Sequence, residues 1–163
     1  TSEIKESEEQ IKITLNAINE AKINALIILP NNDAGYSKIM SQIKSSKISS
    51  VDTLSINDYV NLLKNSSGLI GNSSSGIHET ASFNIPTINI GTRQQGRLRP
   101  KNVIDVPHDK NMIIDAISEC IKIKEDDIAF ENPYGDGKSA QRIVKYLNSL
   151  DISNSVIQKR ITY

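Results

Sequence analysis

Five short apolar runs alternate along this chain with longer amphipathic stretches, and that alternation leaves few architectures open. Ala25–Leu29 (ALIIL) is continuous, apolar and ended by Pro30, the pattern of a strand buried on both faces. Ile48–Leu54, Gly68–Gly71, Thr87–Ile90 and Val103–Val106 read as further strands. Between them the apolar residues recur at helical spacing. Residues 3–24 form one amphipathic helix carrying Ile4, Ile11, Leu15 and Ile18, and Tyr36–Ser45 forms a second with Ile39, Met40 and Ile43 inward. Ser55 followed by Asp58 resembles a capping box and opens a helix through Leu63. Ser75–Phe83 is a further helix. Asp109 caps one running through Lys124, with Ile113, Ile117, Cys120 and Ile121 on its apolar side. The turn cluster from Pro133 to Gly137 precedes a last helix, Ser139–Leu150. Strands alternating with helices imply an α/β fold, a three-layer Rossmann-like domain around a parallel sheet. A length of 163 residues fits one domain, 1–163, with 151–163 as a C-terminal tail.

Composition removes whole classes of function. Lys plus Arg and Asp plus Glu number 19 each, so the formal charge is zero, and a polyanion-binding surface for nucleic acid is not expected. Aromatic residues make up only 4%, too few for stacking platforms on single strands. A single cysteine, Cys120, excludes an internal disulfide framework and a thiolate metal cluster, and on an apolar helical face it reads as an inert core thiol. No apolar run approaches the ~18–20 residues of a membrane-spanning helix. The opening TSEIKESEEQ has neither the basic nor the apolar part of a signal peptide, so a soluble, cytoplasmic protein is expected. The chain begins on Thr1, directly in a helical pattern, which reads as a piece of something longer, a processed start being the alternative.

In a parallel sheet, ligands bind beyond the carboxyl ends of the strands, where loops enter helices. The loop from Gly71 to Glu79 (GNSSSGIHE) lies at such a place. Its backbone N–H groups, the hydroxyls of Ser73, Ser74 and Ser75, and Gly76, which permits close approach, suit a phosphate or diphosphate. Glu79, one turn on, suits a pair of sugar hydroxyls. The plainer alternative is a serine-rich turn with an acidic residue in the first helical turn. The loop from Gly91 to Arg99 (GTRQQGRLR) brings three arginines whose forked donors fit phosphate oxygens, Arg93 nearest the strand end, Arg97 and Arg99 further off. Asn31 sits in another strand-end loop, and Tyr59, early in a helix at the same edge, can wall a base or serve as core. His78 is expected to have a packing or surface role, and His108 to be a surface loop residue.

Together these segments carry a resemblance. The run IGNSSSGIHETASFNIPTINIGTRQQGR, with LPNNDAG before it and NPYGDGKSAQRIVKYL after it, resembles the C-terminal half of UDP-N-acetylglucosamine 2-epimerases, over roughly residues 14–150. It looks most like the hydrolysing branch that supplies N-acetylmannosamine for sialic-acid-type sugars. The resemblance implies the C-terminal half of a glycosyltransferase-B-like fold and a UDP-sugar as the small-molecule partner. It implies no cofactor, no metal, no nucleic acid or membrane partner, and a homo-oligomeric full-length protein. Ser73 and Ser74 match the diphosphate-binding serines, Glu79 the ribose-binding glutamate, Arg93 an arginine of the nucleotide site and Asn31 a cleft asparagine. Tyr59 falls where the family places an aromatic near uracil. In the family, UDP is eliminated to leave a sugar unsaturated at C1–C2, and water then adds from the other face. The acid and base groups belong to the other half, so the resemblance implies no complete chemistry on this chain. A retaining glycosyltransferase half, a non-catalytic sugar-phosphate module and a non-hydrolysing epimerase are the alternatives.

Overall fold

A computed structural model describes residues 6–30 and 35–150; Ile4, Asn31 and the tail 151–163 lie outside the described residues. The elements follow the sequence order α1 (Ser7–Ala21), β1 (Leu26–Ile28), α2 (Tyr36–Ser45), β2 (Ser49–Val51), α3 (Ile56–Lys64), β3 (Leu69–Gly71), α4 (Ser75–His78), a 3₁₀ turn (Thr80–Phe83), β4 (Thr87–Ile90), β5 (Val103–Val106), α5 (Lys110–Glu125) and α6 (Ser139–Ser149). All recorded strand pairs are parallel: β1 with β2, and β3–β4–β5 with β4 in the middle. The α/β architecture with parallel strands is therefore the one the alternation requires.

The strand buried on both faces is β4, not β1. Every residue of Thr87–Ile90 is buried, whereas Leu26 at the start of the ALIIL run is 42% exposed. The reason is position: β4 has a strand on each side, while β1 is recorded with β2 as its single neighbour. Along β4 the side chains alternate between two environments, as a strand demands. Ile88 and Ile90 enter the main apolar cluster with Ala17 of α1, Val106 of β5, and Ile113, Ala116, Ile117 and Cys120 of α5. Thr87 and Asn89 face the other way, where the Thr87 hydroxyl donates to Thr80 (2.8 Å) and the Asn89 amide to Asp105 (2.6 Å).

Local signals set the helix starts. Ser55 accepts a bond from the Asp58 amide (3.1 Å) and so caps α3, while its hydroxyl, in place of the backbone N–H of a full capping box, donates to the Asp58 carboxylate (2.7 Å). Asp109 accepts from the Met112 amide at 2.9 Å and so caps α5. Burial pushes the Cys120 thiol on α5 up to about 11, which keeps it protonated and inert.

The expected single helix over Ser75–Phe83 is broken in two. The fully buried Thr80 hydroxyl donates back to the Gly76 carbonyl at 2.9 Å, and the backbone tightens into 3₁₀ geometry beyond Glu79. Thr80 also accepts from the Asn102 amide (2.8 Å), whose nitrogen reaches the Ile85 carbonyl as well (2.6 Å). Gly76 is buried because α4 lies tight on the sheet: a Cβ there would come within 2.6 Å of Thr87 Cγ2.

By its contacts the chain divides at Pro133 into two compact units, the second comprising residues 134–163. Within this second unit, Asp136 accepts both guanidinium nitrogens of Arg142 (2.8 and 2.7 Å) and the Lys138 amide (3.1 Å), fixing the entry to α6. No residue of α6 is buried, and Ile143, Val144, Tyr146 and Leu147 are exposed.

Two outcomes follow from this packing. Thr80→Val removes the shared hydroxyl and leaves buried groups of Gly76, Thr87 and Asn102 short of a partner, so urea unfolding should register a loss of about 2–3 kcal/mol. The Arg142 guanidinium, with the Lys138 amide, holds the Asp136 carboxyl down to about 2. A depressed carboxylate supports the folded form above its unfolded value and ceases to do so as pH falls through the folded one. Carboxyl-carbon NMR should therefore show Asp136 titrating near 2, and higher in Arg142→Ala though still below the ordinary Asp value, because the Lys138 amide remains.

Candidate functional site

Parallel register puts the serine loop and the arginine loop at one edge of the sheet. Gly71 at the end of β3 pairs with Asn89, next to the end of β4, so the chains leaving both strands emerge side by side. The Gln94 side chain joins them directly, its amide nitrogen donating to the Asn72 carbonyl at 2.7 Å. Gln94 is 3% exposed. Nothing in its polar character announces this in the sequence; the only signal is its place between two glycines in a loop leaving a buried strand.

On the serine loop, Ser73 and Ser74 are exposed. The Ser73 hydroxyl accepts from the Ser75 amide at 3.3 Å. Ser75 connects two expected site residues: its hydroxyl donates to the Glu79 carboxylate at 2.7 Å and shares a hydrogen bond with the Tyr59 hydroxyl. Tyr59 thus stands beside the acidic end of the loop, brought there by the first turns of α3. Its phenol is pushed up chiefly by burial and further by the Glu79 charge, while the bond to Ser75 pulls the other way, so it stays protonated at neutral pH. Glu79 itself is exposed, at the junction between α4 and the 3₁₀ turn.

The three arginines have different duties. Arg93 is exposed, one residue before the Gln94 anchor. Arg97 contacts the His78 ring, Nη1 to Nε2 at 2.7 Å; a guanidinium only donates, so the imidazole nitrogen accepts. Arg99 ties its loop to itself and to β5: it donates to Asp105 on that strand (2.8 Å), to the Gln94 carbonyl (2.7 Å) and to the Arg97 carbonyl (3.2 Å). Arg99 therefore has a folding role, whichever of its two sequence readings, ligand or basic turn, is taken. The connection from β4 to β5 lacks a helix, and its carbonyls have to find donors elsewhere.

His108 corrects the expectation of a surface loop residue. Both ring nitrogens are buried without a hydrogen-bond partner, and the ring lies against Gly91, where a Cβ would come within 2.5 Å of Nε2. Gly91 also has a positive φ of 79°, so glycine is required there on two counts. Asn132 is a second residue the sequence left unmarked. Its amide donates to the His78 carbonyl (2.8 Å) and the Ser82 hydroxyl (2.7 Å), bracing the far side of the serine-loop helix. Asn31 lies outside the described residues. Among the described residues no group of three or more His, Cys, Asp or Glu is placed to hold a metal, and no helix is long and apolar enough to cross a membrane.

The edge thus presents clustered hydroxyls, an exposed arginine, a carboxylate and a half-buried tyrosine, a set suited to an anion joined to a polyhydroxylated ring. A family model described as UDP-N-acetylglucosamine 2-epimerase matches residues 1–148. The chain is 31% identical over 163 residues to the UDP-N,N'-diacetylbacillosamine 2-epimerase (hydrolyzing) of Legionella pneumophila, covering 95% of this chain and 43% of that protein. It is 32% identical over 143 residues to the UDP-N-acetylglucosamine 2-epimerase of Neisseria meningitidis, covering 84% of this chain and 37% of the relative. It is 40% identical over 116 residues to the polysialic acid biosynthesis protein P7 of Escherichia coli, covering 68% and 30% respectively. The chain accordingly spans less than half the length of these relatives. In fold it matches the Methanocaldococcus jannaschii UDP-GlcNAc 2-epimerase solved with UDP-GlcNAc and UDP, with a TM-score of 0.69 at 20% identity over 88% of this chain and 41% of the other. The UDP co-structure of Staphylococcus aureus MnaA gives a TM-score of 0.65 at 23% identity, over 88% and 42%. Motif, fold and family model converge: the chain belongs to the UDP-N-acetylglucosamine 2-epimerase family.

Proposed function

We propose that this chain forms the UDP-binding half of a hydrolysing UDP-N-acetylglucosamine 2-epimerase. The enzyme would convert UDP-N-acetylglucosamine, or a 2,4-diacetamido relative, to UDP and the free 2-epimer, such as N-acetylmannosamine. The observation that carries this reading is the meeting of the serine loop and the arginine loop at one sheet edge, with Glu79 and Tyr59 beside them.

Ser73 and Ser74 donate to the diphosphate, and Arg93 adds a charged fork to the same oxygens. Glu79 accepts from the ribose hydroxyls, and Tyr59 lines the base. Asn31 is assigned to nucleotide binding on the family resemblance alone. Gly76 serves the site through packing, since it lets α4 approach the sheet. In the reaction, the C1–O bond to UDP breaks as a base removes the C2 proton, leaving a sugar unsaturated at C1–C2. Water then gives its hydroxyl to C1 and a proton returns to C2 on the opposite face. Charge gathers on the departing diphosphate, and the donors of this half stabilise it there. The acid and base acting on the sugar belong to the other wall of the cleft, so this chain binds nucleotide and turns none over.

A hydrolysing enzyme is favoured over a non-hydrolysing one by the names of two relatives, the Legionella protein and the Campylobacter jejuni GDP/UDP-N,N'-diacetylbacillosamine 2-epimerase (hydrolyzing). Product analysis on the two-domain enzyme separates them: free sugar plus UDP for the first, UDP-N-acetylmannosamine for the second.

Calorimetric titration of the 163-residue chain tests the residue roles. Glu79→Gln should weaken UDP by about 1–3 kcal/mol and leave inorganic diphosphate unaffected, because the carboxylate serves the ribose. Arg93→Ala should weaken both by a similar amount. Normal UDP binding by a correctly folded Glu79→Gln protein would remove the ribose assignment and leave a phosphosugar module as the better reading.

A further inference from the structure

Residues 91–102 connect two parallel neighbours without a helix; Gln94 ties this connection to the serine loop on the buried side, while Arg97 reaches His78 at the exposed surface. Its side chain is buried, its Nε2 donates to the Asn72 carbonyl at 2.7 Å, and its own carbonyl accepts from Arg99 Nη1 at 2.7 Å. The Asn72 carbonyl can only accept, so the amide cannot be turned over without setting two oxygens face to face. Held in that orientation, Oε1 is buried with no partner. A buried acceptor without a donor is unfavourable, and a methionine would fill the same length with no such penalty. What glutamine supplies here and methionine cannot is the donor to Asn72.

We propose that Gln94 is a positioning residue for the diphosphate site, pinning the arginine loop to the serine loop so that both present their donors at a fixed spacing before ligand arrives. The proposal rests on the nucleotide-binding role given to these loops above. Its anchor lies one residue from Arg93 on one loop and one residue from Ser73 on the other. Movement at this bond therefore shifts both sets of donors, and binding loses the benefit of preorganisation.

The test uses the full chain, with Gln94→Met as the first variant. Methionine removes the donor and the orphaned acceptor together, so the melting temperature should stay within about 3 °C of the parent. Amide hydrogen exchange over residues 72–79 and 91–97 should speed up about tenfold while α1 and α5 exchange as before. Inorganic diphosphate and UDP should each bind roughly 5–10-fold more weakly, since both use the same pair of loops. Gln94→Asn keeps the amide but falls short of Asn72. It should melt lower than the methionine variant because the donor is orphaned too, yet loosen the same two loops and weaken both ligands, and it decides the matter if the methionine variant melts much lower. A packing role alone would instead raise exchange throughout the domain, and that result in both variants overturns the proposal. So does unchanged loop exchange in a folded variant. Failure of the parent chain to bind UDP or diphosphate would sink the nucleotide reading, while the exchange measurement still decides whether Gln94 couples the loops.

Discussion

The hydroxyl of Thr80 is the point on which the rest of the site side depends. It is fully buried, donates to the Gly76 carbonyl, and accepts from the Thr87 hydroxyl and the Asn102 amide. Through those bonds it joins the serine-loop helix to the central strand and to the end of the β4–β5 connection. The Thr80 hydroxyl is satisfied by these three bonds, while the Asn102 Oδ1 beside it is buried without a partner, so the network is specific in its pairing and not fully satisfied. It also turns the chain out of the α-helix at Glu79, which is why the carboxylate stands at a corner and not along a continuous helix.

That short first helix changes how anion affinity has to arise. A single turn sums few peptide dipoles, so the charge and hydroxyls around it take a larger share than a long helix would leave them. The chain has no net charge to draw an anion from a distance. The arginines of this loop are instead sorted by position: Arg99 braces the loop, Arg97 contacts His78, and Arg93 is exposed next to the Gln94 anchor. Substrate affinity in the proposed enzyme is thus a matter of local geometry, which makes the bond between Gln94 and Asn72 consequential.

Much of the fold was legible because it rests on local rules. The α2 boundaries, the Ser55 and Asp109 caps, and the strands Thr87–Ile90 and Val103–Val106 follow from periodicity and side-chain capping, which need no tertiary information. An apolar run does not say how many neighbours a strand has, so the partial exposure of β1 is not legible in ALIIL. Nor does helical spacing over Ser75–Phe83 show the break after His78, which depends on the buried bond from the Thr80 hydroxyl to Gly76. Within the site, the meeting of the serine and arginine loops with Tyr59 was legible from the strand-end rule. Gln94, Asn132 and the buried ring of His108 were not, since each acts through a partner distant in sequence.

The central claim is that the serine and arginine loops form one nucleotide diphosphate site. The most direct test is a backbone-amide NMR titration of the chain with UDP and, separately, with inorganic diphosphate. The account predicts that Ser73, Ser74 and residues 92–96 shift with both ligands, whereas Tyr59 and Glu79 respond chiefly to UDP. A titration in which UDP moves resonances elsewhere and leaves residues 72–79 unchanged would contradict it.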